Sequence, residues 1–215
     1  MSIVSPYKNT VQYTKIQIKP HQLNSDIKHT MKLVLQKKVE KRCNKNGFID
    51  QVYRIDEYIE DDIRPENFSG ACNYNVKYEC KICLPIENTI IITQVKSINQ
   101  ELIITVTGPI IIFIPKDNIN TNIWEINEKF TNKISNNTLS VDDFVKIQIV
   151  NKRINDKDYQ IKVIGKMLNL ATSDEINKYS KLSGDPDAPN NIINENSMDT
   201  PTNINVTNNN DNYII

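Results

Sequence analysis

The chain has 215 residues and balances 26 Lys or Arg against 26 Asp or Glu, so the whole molecule exerts no global pull on nucleic acid or anionic lipid. Its length holds one large domain or two small ones. No apolar run approaches the roughly 18 residues of a membrane span, and residues 1–19 lack the apolar core of a secretory signal, so a cytoplasmic or nuclear setting is expected. Charge is nevertheless sorted along the chain. Residues 1–48 carry ten basic and two acidic groups, 49–70 two and seven, 71–88 two and two, 89–170 ten and eight, and 171–215 two and seven. A local basic face is therefore available. Ile, Asn and Lys are abundant while Gly is scarce, a bias that AT-rich coding produces.

Residues 11–18, Val-Gln-Tyr-Thr-Lys-Ile-Gln-Ile, alternate apolar with polar and predict a strand with one wet face, ended by Pro20. Asn24-Ser25-Asp26 supplies N-cap chemistry, and Leu23, Ile27, Met31, Leu35 and Val39 recur at helical spacing with Val34 beside them. Lys28, Lys32, Lys37, Lys38, Lys41 and Arg42 cover the remaining sides of this amphipathic helix. Asn44-Lys45-Asn46-Gly47 turns the chain, with Gly available for positive φ, and residues 48–55 form a second strand. An acidic stretch, residues 56–73, reads as an irregular solvated loop holding Asp61-Asp62, Arg64-Pro65 and Ser69-Gly70. Residues 76–84 return as a third strand that stops at Pro85, completing a small sheet with one helix packed on it.

Three short β-branched segments follow at residues 89–97, 102–107 and 110–114, separated by Asn99-Gln100 and Gly108-Pro109. They are too short and too punctuated for helices. Residues 116–140, containing Trp124 and Phe130, read as an irregular insert. Residues 144–150 alternate cleanly, Asn155-Asp156-Lys157-Asp158 turns the chain, and residues 159–164 alternate back as a hairpin. Five strands with a longer excursion before the fourth, in about 80 residues, match an OB-type Greek-key barrel, although other small β-folds share that count. Ser173-Asp174-Glu175 caps a short helix to Leu182. Beyond it the chain is rich in Asn, Asp, Pro and Thr with no period, and residues 183–215 read as disordered.

Four cysteines, Cys43, Cys72, Cys80 and Cys83, include one C-x-x-C spacing that admits a zinc reading. On a strand, residues three apart point to opposite faces, whereas chelating pairs sit on a tight knuckle, so reduced and partly buried thiols are expected instead. No P-loop or nucleophile elbow is present, and His21 and His29 have no evident acid–base partner. An enzyme is not expected, and neither is a cofactor.

An extended segment, Pro20, the amphipathic helix, Gly47-Phe48-Ile49, Ile55-Asp56, Ile63 with Pro65, Val76-Lys77-Tyr78, Pro85, Thr93-Gln94-Val95, Gly108-Pro109, Phe113-Ile114 and Ile164-Gly165 follow in order. Together, over about residues 10–171, the chain resembles the stalk subunit of multisubunit DNA-dependent RNA polymerases: the seventh subunit of RNA polymerase II, or its archaeal counterpart. The resemblance implies an α+β chain with a truncated RNP-like domain over residues 1–86 and an OB-fold domain over 87–171; the mostly disordered, Asn-rich tail over 172–215, read from composition, has no counterpart in the family. It also implies a noncatalytic role: docking on the polymerase core through a tip loop, pairing with a smaller helical stalk partner, and contact of nascent RNA with the OB face. The short apolar runs lead us to expect no membrane partner. Asp61, Asp62, Ile63, Pro65 and Gly70 fall on that tip loop, where Glu60-Asp61-Asp62 replaces the family's glycine-rich character. The OB half departs further, with Ile98-Asn99-Gln100-Glu101-Leu102 in place of a Gly followed by an aromatic, and an outer surface offering mainly Ile. RNA contact would then rest on Lys96, Lys116, Lys146, Lys152, Arg153, Lys162 and Lys166. Together with AT-rich coding and the lack of a targeting segment, a divergent version of this subunit implies, by analogy, a large DNA virus transcribing in the host cytoplasm or packaging its polymerase in the virion; a cellular paralogue would be nuclear. The rival reading is a free-standing OB-fold RNA-binding factor of translation or RNA processing.

Overall fold

The computed structural model describes residues 3–61, 68–126, 130–133 and 137–183. Strand β1 (Tyr7–Ile18) is followed by a 3-10 turn, Pro20–Gln22, and helix α1 (Ile27–Val39). Short β2 (Arg42–Asn44) turns into β3 (Gly47–Asp61), and β4 (Cys72–Cys83) completes a sheet of order β1-β4-β3-β2, all antiparallel. The Asp26 carboxylate accepts the His29 amide at 3.2 Å and so starts α1, satisfying a donor that has no partner within the helix. Met31 and Leu35 are fully buried in one cluster with Ile16, Ile18, Val76 and Tyr78, each contributing roughly 1.5–3 kcal/mol of burial. Leu23 stays exposed because it follows the 3-10 turn and precedes the helix, so the apolar stripe begins at Ile27.

The wet and dry sides of β1 are not those that simple alternation gives. Ile16 and Ile18 face α1, and the two-residue period then carries Gln12 inward while Val11 and Tyr13 face out. The sequence hides this because Thr14-Lys15 breaks the alternation and shifts its phase. The acidic stretch also differs from expectation. β3 extends to Asp61 and pairs with β4 as far as Asn73, so residues 56–61 and 72–73 are strand, not loop. Cross-strand partners explain why these acids tolerate a ladder: Glu57 meets Lys77 at 3.3 Å, and Arg54 bridges Asp56 and Glu79.

Strands β5 (Ile90–Ile98), β6 (Leu102–Thr107) and β7 (Ile110–Pro115) form a meander. A two-stranded hairpin, β8 (Trp124–Ile126) and β9 (Phe130–Asn132), lies within the segment expected to be irregular. Trp124 is buried there and donates its indole N–H to Leu168 O at 3.1 Å, which fastens the insert to the barrel. Strands β10 (Phe144–Arg153) and β11 (Ile161–Leu170) close the barrel in the order β10-β11-β7-β6-β5, with β10 against β5. Only the β11–β7 pair among these is parallel. This is an OB-like five-stranded barrel, filled by β-branched side chains such as Ile103, Ile112, Ile147 and Val163.

Helix α2 (Ser173–Ser183) forms where the sequence predicts a short helix, but its cap is Thr172. The Glu175 carboxylate accepts the Thr172 amide at 2.9 Å while the Thr172 hydroxyl faces the Glu175 amide at 3.4 Å, a reciprocal box. Tyr179 is buried in the barrel cluster and Ile176 packs against it, so α2, which falls in the stretch assigned to the tail from sequence, is fastened to the barrel by these two side chains. Residues 184–215 lie outside the described residues.

Sheet and barrel share a seam. Cys43, Phe48 and Cys83 belong to the same apolar cluster as the barrel interior. The Cys43 amide donates to Asp158 O at 2.7 Å and the Lys157 amide to Cys43 O at 2.8 Å. At the chain start, the Val4 amide donates to Ile90 O at 3.1 Å. Among the described residues no helix is long and apolar enough to cross a membrane.

Candidate functional site

The long β3–β4 ladder carries the sheet out to a tip. At its end, Asp61 closes β3 and ion-pairs with Lys15, so this carboxylate already has a cation of its own chain. Gly70 has a φ of +62°, and an added Cβ would lie 3.3 Å from Pro20 Cγ, so the turn back into β4 favours glycine. Asp62, Ile63 and Pro65 lie outside the described residues. Two residues that sequence reasoning passed over stand at this end: Phe68 is 97% exposed and Ile59 is 70% exposed. Behind them, Tyr58 and Tyr74 meet edge to face with ring centroids 6.1 Å apart, stiffening the ladder. The available signal was a single Phe inside an acidic, Ser-Gly-containing stretch.

A second surface lies on the outside of the barrel. On β11, Lys162, Ile164 and Lys166 alternate outward. Lys162 pairs in register with Arg153 on one side and Ile111 on the other, and Ile164 with Asn151 and Phe113. A groove of about 430 Å³ results, with Phe113 and Ile164 among its lining and Lys152, Arg153 and Lys162 around them. The expectation of an outer surface offering mainly Ile is corrected by Phe113, an aromatic that is half-buried on β7 and lines the groove. Its position was concealed in sequence because Ile111 and Phe113 sit in an unbroken apolar run, Ile110 to Ile114, that does not reveal which parity faces inward.

The barrel cations predicted from sequence thus separate by geometry. Lys152, Arg153 and Lys162 converge on the groove, and Lys166 lies farther along the same strand face. Lys152 also donates to Pro85 O at 2.9 Å, tying the groove wall to the chain between sheet and barrel. Lys96 pairs with Asp142 at 3.4 Å and Lys146 with Glu175 at 3.0 Å, so both are held away by acids of their own chain. Lys116 begins the 3-10 turn after β7 and donates its backbone N–H to Glu101 O.

The four thiols are all buried and unbridged. Burial pushes Cys43 and Cys80 up to about 11, with Asp158 adding to the shift at Cys43 and Glu79 at Cys80, so each is a protonated packing group at neutral pH. Among the described residues no group of three or more His, Cys, Asp or Glu is placed to hold a metal ion.

No protein-family model matches the chain. A protein of Acanthamoeba polyphaga mimivirus named as a DNA-directed RNA polymerase subunit is 35% identical over 180 residues, covering 83% of this chain and 90% of that protein. The chain belongs to the family of DNA-directed RNA polymerase subunits. A match of that length reaches across both the sheet and the barrel, so the two units are inherited together. A polymerase subunit works in assembly with other polymerase subunits, which gives exposed apolar groups such as Phe68 and Ile59 a context that an isolated monomer would not.

Proposed function

We propose that this RNA polymerase subunit is the stalk subunit of a viral enzyme, contributing no catalytic residue and acting in the host cytoplasm or the virion. In this reading residues 1–86 form an RNP-like domain that docks on the polymerase core subunits through its tip, and the barrel is an OB-fold face for nascent RNA. A smaller helical stalk partner completes the assembly. The observation that carries the reading is the pairing, in one chain, of a tip displaying Phe68 and Ile59 with a barrel groove where an aromatic lies among Lys152, Arg153 and Lys162. Exposed apolar anchors suit a buried contact, while cations around an aromatic suit phosphate and base stacking. Asp62, Ile63 and Pro65 extend the docking set on sequence grounds, with Ile63 as a further apolar anchor and Asp61 and Asp62 at its rim.

The test is affinity purification of the tagged chain from its native source. Recovery of the two largest polymerase subunits in stable proportion supports the stalk reading. Phe113 gives the free-standing RNA-binding reading one observation in its favour, since such a factor needs an aromatic on its barrel face. Recovery of ribosomes or bare RNA without polymerase subunits would select that rival.

A further inference from the structure

A cavity of about 390 Å³ opens at the seam between sheet and barrel and shares no lining residue with the barrel groove. Its lining includes Lys38 at the end of α1, Arg42 and Lys45 around β2, and Lys157 from the β10–β11 turn, against one carboxylate, Asp156. The wall is fixed by the reciprocal backbone bonds between Cys43 and the turn residues Lys157 and Asp158. Neither Lys45 nor Lys157 forms an ion pair among the described residues. Lys157 holds its place in the turn at a φ of 69°, a conformation that Gly or Asn adopts more readily. In the same wall Gln12 is 5% exposed, and its Nε2 has no acceptor among the described residues. Asn44 Nδ2 donates to Gln12 Oε1 at 2.6 Å, which fixes the amide orientation and leaves that donor unspent.

This site asks for negatively charged oxygens, and the chain carries a matching segment. Residues 184–215 contain Asp185, Asp187, Glu195, Asp199 and Asp211 and no Lys or Arg. The segment follows α2, and α2 starts beside Phe144, whose carbonyl accepts the Ala171 amide at 2.8 Å. The seam lies beyond the other end of β10, about 30 Å from Phe144, and the helix itself adds at most about 16 Å. A chain of 32 residues reaches at most about 100 Å, so the whole distance is within its range. We propose that the acidic segment 184–215 docks its carboxylates in the cationic seam cavity, so that the chain occupies intramolecularly a site that would otherwise accept another polyanion. Tethering gives this contact a high effective concentration, and a competing polyanion of greater charge density would displace it. The inference does not depend on the stalk assignment.

The full-length chain tests it directly. A variant combining Asp185→Asn, Asp187→Asn, Glu195→Gln, Asp199→Asn and Asp211→Asn removes the charge without shortening the chain. In low salt, the backbone amide resonances of residues 43–46 and 156–158 should differ between the variant and the parent, and the difference should vanish by about 0.5 M salt, where surface charges are screened. Zero-length carbodiimide cross-linking of the parent at high dilution should join tail carboxylates to Lys45 or Lys157 of the same chain. A single-stranded oligouridine probe should bind the variant several-fold more tightly than the parent. Unchanged seam resonances, changes confined to the Lys162–Lys166 face, cross-links only between different chains, or equal oligouridine affinity would each overturn the proposal.

Discussion

Gly165 sits where the barrel wall has no space for a side chain. An added Cβ would stand 2.4 Å from Ile147 Cγ2 and 2.8 Å from Ile112 Cγ2, both fully buried and held by their own strands. Gly165→Ala should therefore cost roughly 1–3 kcal/mol as overpacking, read as a lower thermal midpoint with the fold retained. The opposite sign is expected at Thr105, whose side chain is fully buried and whose hydroxyl has no partner among the described residues. Thr105→Val keeps the shape and removes the unmet group, so stability should rise by about 1 kcal/mol, or roughly 2–4 °C for a chain of this size. A drop instead would show that the hydroxyl is satisfied. The thiols give a pH signature. Cys43 and Cys80 are raised to about 11, above the roughly 8.5 of a free thiol, so folding holds them protonated. The unfolded chain ionises first, and their contribution to stability is complete below about pH 8.5 and is lost as pH rises towards 11. Urea midpoints should fall across that window, and thiol reagents at about pH 8 should modify these residues only on unfolding. The spacing of Cys80 and Cys83 was legible as strand spacing; their depth in two different clusters was not, because strand pairing decides it.

Elements whose residues repeat cleanly were readable in order and type: α1 and the three Ile-rich strands lie close to where the periodicity places them, and the β10–β11 hairpin is present, although β11 starts at Ile161 and runs on to Leu170, six residues past the expected end. What escaped was set by partners distant in sequence. β3 could not be extended through Asp56 to Asp61 from local pattern, since Lys15 and Lys77, which face those acids, come from β1 and β4. The inward turn of Gln12 likewise follows from Ile16 and Ile18 reaching α1. Tip residues were partly visible as an acidic stretch, but the exposure of Ile59 and Phe68 required the ladder to be built first. With both side chains free of the fold, Ile59→Ser with Phe68→Ser should leave the melting temperature nearly unchanged and weaken co-purification with the core subunits by about tenfold or more. Unfolding of the isolated variant would place these residues in its own core and end the docking assignment. For α2, the Thr172 amide and then Lys146 hold the Glu175 carboxyl below its usual range. A depressed folded pKa stabilises above the unfolded value of about 4.3, and the contribution is lost as pH falls through the folded value. Acidification below about pH 4 should therefore loosen α2 ahead of the barrel, seen as earlier exposure of Tyr179, and Glu175→Gln should reproduce part of that loosening at neutral pH.

At the scale of the molecule, the sequence suggests two units meeting near Pro85, and the structure adds that they are joined by a common core. Phe48 sits at the join. It is the second residue of β3, pairs with Cys43 on one side and Cys83 on the other, and all three lie in the cluster that fills the barrel. Met31, by contrast, belongs wholly to the cluster between α1 and the sheet. If the shared core couples the units, Met31→Ala, which opens a cavity costing roughly 2–5 kcal/mol, should lower the barrel's unfolding midpoint as well as the sheet's. Trp124, buried in the barrel, reports the barrel by fluorescence, while helical circular dichroism follows α1 and calorimetry counts transitions. The parent chain should show one transition by all three. Phe48→Ala, at a cost of roughly 3–5 kcal/mol, should both destabilise the chain and split the transition in two. In that background Met31→Ala should shift α1 while leaving the Trp124 midpoint in place. Two transitions in the parent chain would show instead that the seam is a contact between independent domains, and that Phe48 serves only the barrel.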